Sequence, residues 1–189
     1  MQGPTRFEGF RADQQTAEWI AWREDVDPTV DALLSGLLAV AQPDPWSREG
    51  LIHAEDAARW WIPVPTLLEL PEGRDRADRI AMFLGEVLRR NFGGEWINAP
   101  RGALDWGDGL GPSIRYPYTD LMTDPRRRLV AVVDNAYHRY WAMLWDHHLD
   151  CLRRWRELGC PTRGQWEQAG WVPPEKLEAN PAPRQQPKP

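Results

Sequence analysis

Three Asp-Pro pairs, Asp27-Pro28, Asp44-Pro45 and Asp124-Pro125, set the grain of this chain. The aspartate offers a side-chain acceptor to the free amides of a helix start, and a proline in the first turn has no amide to lose and a φ that is already helical. Each pair therefore opens a helix, and apolar residues at helical spacing follow each one. After Pro28 come Val30, Leu33, Leu34, Leu37 and Leu38, ended by Pro43; after Pro45 come Leu51, Ile52, Ala58, Trp61 and Ile62, ended by Pro63. After Pro125 the stripe Leu129, Val132, Val133, Ala136, Tyr140, Met143, Leu144, Leu152 and Trp155 runs to Gly159 and predicts one long helix, the spine of the fold.

Two further helices need no such pair. Asp13 predicts an N-cap for a short helix to about Asp25 that buries Ala17, Ile20 and Ala21, with Trp19 and Trp22 flanking them. From Arg74 to Phe92, the residues Ala77, Ile80, Ala81, Leu84, Val87 and Leu88 share one face, and Gly93-Gly94 supplies a left-handed stop. Residues 63–73, with three prolines around Leu67, Leu68 and Leu70, read as an extended connector with room for a short strand.

The centre has a different texture. Residues 101–112 hold four glycines and a proline, and the flanking segments Trp96–Asn98, Ala103–Trp106 and Ser113–Tyr118 are rich in aromatic and β-branched side chains, which predicts a small antiparallel hairpin or three-stranded meander. The fold class is accordingly α+β and mostly helical, with the hairpin between the two longest helices. Residues 1–172 read as a single globular domain, with Thr162 capping a short helix through Trp166 to Ala169, and the Pro-rich, polar stretch 173–189 reads as a disordered tail.

Charge and cysteine usage narrow the function classes. The net charge of -5 argues against a general nucleic-acid or anionic-membrane binder, which needs cationic excess. Residues 1–70 carry 12 acidic and 5 basic side chains, so the N-terminal part is acidic. With Cys151 and Cys160 as the only cysteines, and neither a cationic-apolar leader nor a run long enough to cross a membrane, the chain reads as cytoplasmic. Twelve tryptophans are a surplus for 189 residues; they either fill a core or line a binding surface, and their placement within amphipathic segments favours the core.

Motifs for chemistry are sparse. His53-Ala54-Glu55 matches the HxE half of a zinc deaminase site, but the two thiolates of a PCxxC at a helix start are missing, so a polar stretch of helix is the better reading. Asp134, His138, Asp146, His147, His148, Asp150 and Cys151 crowd neighbouring turns, yet no second His or Cys cluster closes a four-ligand shell. GxSxG, HExxH and a phosphate-binding loop are absent, and Gly107–Gly111 with Asp108 reads as a turn. Arg126, Arg127 and Arg128 oppose the dipole of the helix they start, and read as a solvated face with a partner contact as the alternative. Residues 152–171 have the outline of a helix-turn-helix with Arg153, Arg154, Arg156 and Arg163 nearby, but the second helix would read bases with Gln165, Glu167 and Gln168 and few cations.

The segments FLGEVLRRNFGGEWI and GPSIRYPYTDLMTDP resemble a loose class of uncharacterised actinobacterial domains with a Gly-Glu pair in a helix, a GGxW turn, a hairpin and an Asp-Pro helix start. The matching positions are Gly85, Glu86, Gly93, Gly94, Trp96, Asp124 and Pro125, within residues 77–130. The resemblance implies a fold. Some similar domains look like immunity or accessory proteins of toxin systems, which assigns no catalytic residue here. Gly85 would admit a close neighbour, Glu86 would bond a backbone amide of the hairpin, and Trp96 would cover the helix end.

The expectation is a non-catalytic bacterial protein that binds another protein, immunity-like or accessory, because an acidic half and surplus tryptophans suit a charged, aromatic interface. The runner-up is a DNA-associated regulator using residues 152–171, and the third reading is a metal-binding protein or enzyme using the turn near His147. No catalytic, cofactor-binding or metal-ligating residue is assigned.

Overall fold

The computed structural model describes residues 13–41, 44–100, 104, 106–119, 121–134, 138–162 and 164–165. Within them the chain is mostly helical with one small antiparallel sheet, the α+β class that its punctuation predicts. The helices are α1 (Ala17–Ser35), α2 (Arg48–Trp61), α3 (Pro71–Phe92), α4 (Pro125–Val133) and α5 (Tyr140–Glu157). Short 3-10 turns at Leu37–Ala41 and Pro65–Glu69 join the first three.

The two N-terminal helical segments expected from the sequence are one helix. α1 starts at Thr16, whose hydroxyl accepts from the Trp19 amide, and it continues through Pro28. The proline cannot bond the carbonyl of Glu24, but both residues lie on the exposed side of the helix, where a missing backbone bond costs least. The buried face is also the opposite of the expected one: Trp19, Trp22, Val26, Val30 and Leu33 face inward while Ala17, Ile20 and Ala21 are exposed. Two indoles bury far more apolar area than two alanines and an isoleucine, so the helix rotates to hide them.

α2 is capped by Ser47, whose hydroxyl accepts from the Gly50 amide, and Asp44 instead closes the preceding turn by accepting from the Trp46 amide. Residues 65–69 form a 3-10 turn in place of a strand, and α3 begins at Pro71, three residues before the expected start. α3 ends at Gly93, φ 64°, as expected.

The spine is α3 and not the last helix. Every residue from Ile80 to Leu88 is buried, so this stretch is surrounded by α1, α2, α4, α5 and the sheet. The expected long C-terminal helix is broken: α4 ends at Val133, and α5 begins after Arg139, which adopts φ 60°. The sheet therefore lies between α3 and a helix of nine residues, not between the two longest.

The sheet is a meander, β1 (Glu95–Asn98), β2 (Pro112–Arg115) and β3 (Met122–Thr123), with β2 in the middle. Trp96 stands opposite Ile114 and Ile97 opposite Ser113. Leu104 and Trp106 lie outside any strand, and Ala103 and Asp105 fall outside the described residues. The outer edge of β1 is closed at one end by a side chain: the Gln14 amide donates to the Asn98 carbonyl at 2.7 Å and accepts from the Asn98 N–H at 2.8 Å. The Asn98 side chain in turn accepts from the Gly111 amide and donates to the Asp13 carbonyl.

Candidate interaction surface

Most polar groups that drew attention in the sequence are consumed inside the fold. Glu86 is 1% exposed, and its carboxylate accepts four N–H groups: the Trp96 indole at 2.8 Å, Arg89 twice at 2.8 and 2.9 Å, and Arg90 at 2.9 Å. Burial pushes this carboxyl up, but the bonds from Arg89, Trp96 and Arg90 outweigh it and bring it down to about 2. Gly85 makes the arrangement possible, because a Cβ there would collide with the Trp96 ring. The close approach at Gly85 follows the sequence expectation, whereas Glu86 holds the tryptophan side chain and not a hairpin amide.

Of the three consecutive arginines, only Arg127 is solvated. Arg126 is 1% exposed and bridges Asp78 and Asp108, each at 2.7 Å, with its guanidinium over the Trp106 ring. Burial disfavours its charge, but the two carboxylates more than offset this and raise its pKa. Asp78 also accepts from the Trp22 indole, so one ion-pair cluster ties α1, α3, α4 and the 106–111 turn together. Arg128 is half-buried and donates to the Tyr140 hydroxyl.

The His-rich turn is dispersed in the same way. His148 is buried, with Nδ1 3.0 Å from the Tyr118 hydroxyl and Nε2 3.2 Å from that of Thr123, and burial chiefly, with His147 and Arg128, lowers its pKa to about 3. Asp146 pairs with Arg48 and Asp150 with Arg153. His147 lies 3.7 Å from the Cys151 sulfur. Among the described residues no three His, Cys, Asp or Glu side chains are grouped to hold a metal ion.

His53 and Glu55 point different ways. His53 is exposed, whereas Glu55 is 2% exposed and accepts from the Trp141 amide at 2.7 Å, capping the first turn of α5 where Arg139 supplies no side-chain cap. In the helix-turn-helix outline, Thr162 and Gln165 exchange side-chain-to-backbone bonds in the manner of a capping box. Arg163 and residues 166–171, including Trp166 and Trp171, lie outside the described residues, as does the 173–189 tail.

The tryptophans then separate by environment. Trp19, Trp22, Trp96 and Trp141 are buried, with Trp22 stacked on Trp19 and edge-on to Trp96, which agrees with the core reading. Trp46, Trp61, Trp106, Trp145 and Trp155 are half-buried against the core. Trp60 alone among the described tryptophans is open, at 75% exposure. It borders a shallow cleft of about 450 Å³ lined by Leu37, His53, Asp56, Ala57 and Trp60 itself. A second cleft of about 180 Å³, between α1 and Trp61, shares Leu37.

Trp60 is not among the residues singled out by motif or composition, although its helical spacing carries a signal. Leu51, Ala54, Ala58 and Ile62 form the buried face of α2 and its end, and His53, Asp56, Ala57 and Trp60 repeat at the same helical spacing on another. An indole on the second stripe has no place in the core. Comparison with family models, with curated proteins and with solved structures returns no match. No helix among the described residues is long and apolar enough to cross a membrane.

Proposed function

We propose that this is a non-catalytic protein-binding protein, immunity-like or accessory in character, that docks through the outer face of α2. Trp60 carries the reading. An exposed indole beside an apolar cleft, rimmed by one imidazole and one carboxylate, has the composition of an interface centre, where a tryptophan anchor supplies a large share of the binding energy. The buried polar clusters support it from the other side, since Glu86, Arg126 and His148 are occupied with partners inside the fold.

The test is capture of a partner by the tagged protein from nuclease-treated extract of its native host, run in parallel with Trp60→Ala, followed by rebinding of the purified partner. A stoichiometric protein that binds the wild type and is lost with the variant is the expected result. Equal retention by both, or recovery of nucleic acid alone, would sink the proposal.

A further inference from the structure

Glu86 is saturated, and one arginine beside it is left unmatched. The carboxylate accepts four N–H groups, the capacity of its two oxygens, and all four come from Trp96, Arg89 and Arg90. Arg23, on α1, is a third guanidinium close to the same cluster, near enough for the charges of Glu86 and Arg89 to act on it. Its Nη1 is shielded from water and has no hydrogen-bond partner. Asp27, one turn further along α1, stands against Arg90 instead, at 3.7 Å. Burial chiefly lowers the Arg23 pKa; Glu86 opposes this, and Arg89 adds to it. Three guanidiniums against two carboxylates leave one positive charge over, in a chain whose net charge is -5.

We propose that Arg23, Arg89 and Arg90 bind the oxyanion of a small acidic ligand, a phosphoryl or carboxylate group, in the seam between α1 and α3. A guanidinium is a planar fork of donors that matches two oxygens of such a group. Arg89 commits Nε and Nη2 to Glu86, which leaves its Nη1 for an outside acceptor. The Arg89 and Arg90 side chains are 37% and 40% exposed, so the cluster opens to solvent above a carboxylate that is itself buried. Glu86 thus fixes two of the forks in place before a ligand arrives, and the cost of ordering them on binding is small. Arg23 has only the Trp96 ring near it, 5.7 Å from the centroid, the long end of a cation–π contact. No hydrogen bond of its Nη1 has to break for it to turn toward an anion. None of the three arginines lines the Trp60 cleft, so this site stands apart from the docking face proposed above.

Thermal unfolding of the full chain at pH 7, with inorganic phosphate or acetate set against chloride at equal ionic strength, tests this. At least one of the two oxyanions is expected to raise the midpoint in a saturable way, by roughly 5 °C at about fifty times a millimolar Kd. A larger rise with phosphate assigns a phosphoryl ligand, and a larger rise with acetate a carboxylate. Arg23→Met is expected to melt no lower than the wild type in chloride, because an unmatched half-buried charge is removed, and to lose the oxyanion response. Arg79→Gln, which removes an exposed arginine paired with Asp75, keeps it. No saturable rise in the wild type overturns the inference, as does an equal rise in Arg23→Met, which is the mark of general stabilisation by excluded salt. Arg23→Met that melts well below the wild type in chloride, or fails to fold, also overturns it, since Arg23 would then belong to the fold. The capture experiment with Trp60→Ala is unaffected by any of these results.

Discussion

The sheet side of α3 and the outer face of α2 treat the same residue types in opposite ways. Around α3, Trp96 and Trp22 are buried and each indole N–H meets a carboxylate, Glu86 or Asp78. On α2, Trp60 is open, and His53 and Asp56 stand beside it without a hydrogen bond or ion pair among the described residues. Aromatic and charged residues are structural where each polar group has been matched, and available for an outside partner where none has. Residue type alone does not distinguish the two regions; the state of the hydrogen bonds does.

The contrast breaks hardest at Glu86. Glu86→Ala leaves the buried Trp96 indole N–H without an acceptor while Arg89 and Arg90, each more than a third exposed, turn to water, and an unfolding titration is expected to show a loss of about 2–3 kcal/mol. Loss below about 1 kcal/mol would mean that the network is ornamental. Acid attacks the same region. The folded protein holds His148 neutral down to about 3 against an ordinary 6.5, so the unfolded chain takes up that proton first and stability falls as pH falls through this window, by up to ~1.4 kcal/mol per pH unit. Glu86, held at about 2 against an ordinary 4.5, adds a second loss below pH 4.5. In His148→Gln the fall between 6.5 and 4.5 is expected to flatten while the lower one persists, as a pH series of thermal or urea unfolding would show.

Gly85→Ala comes next. Its added methyl meets the Trp96 ring, and the expected cost is about 1–3 kcal/mol, with a change in near-ultraviolet circular dichroism as the indole shifts. The smallest effect lies on the other side of the comparison: Trp60→Ser is expected to change stability by less than about 0.5 kcal/mol while removing the emission of the most exposed of the described tryptophans. A large loss of stability there would move Trp60 from the interface to the core.

What could be read from the sequence followed from local rules. The α3 stripe, its Gly93 stop and the Asp124 cap depend on neighbours within a few residues, the meander on strands that follow one another in the chain, and all are present. What could not be read depends on distant partners. Nothing near Arg126 announces that Asp78 and Asp108 will enclose it, and nothing near Glu55 announces that α5 will begin against it. The rotation of α1 is hidden by a pattern that weighs alanines and indoles alike, and the break before α5 by an apolar period that continues across it. Trp60 does not stand out because a tryptophan in an amphipathic helix reads as core.

The side-chain amide of Gln14 on Asn98 has a consequence for the life of the chain before it is folded. It occupies two backbone groups on the open side of β1, where an extended strand from another molecule would otherwise attach. This stopper comes from 84 residues away, so it arrives only when the beginning of the chain has found its way back to the sheet. Until then the Asn98 N–H and carbonyl have no such partner, and trimming the chain past Gln14 would free both groups for an extended strand of another molecule.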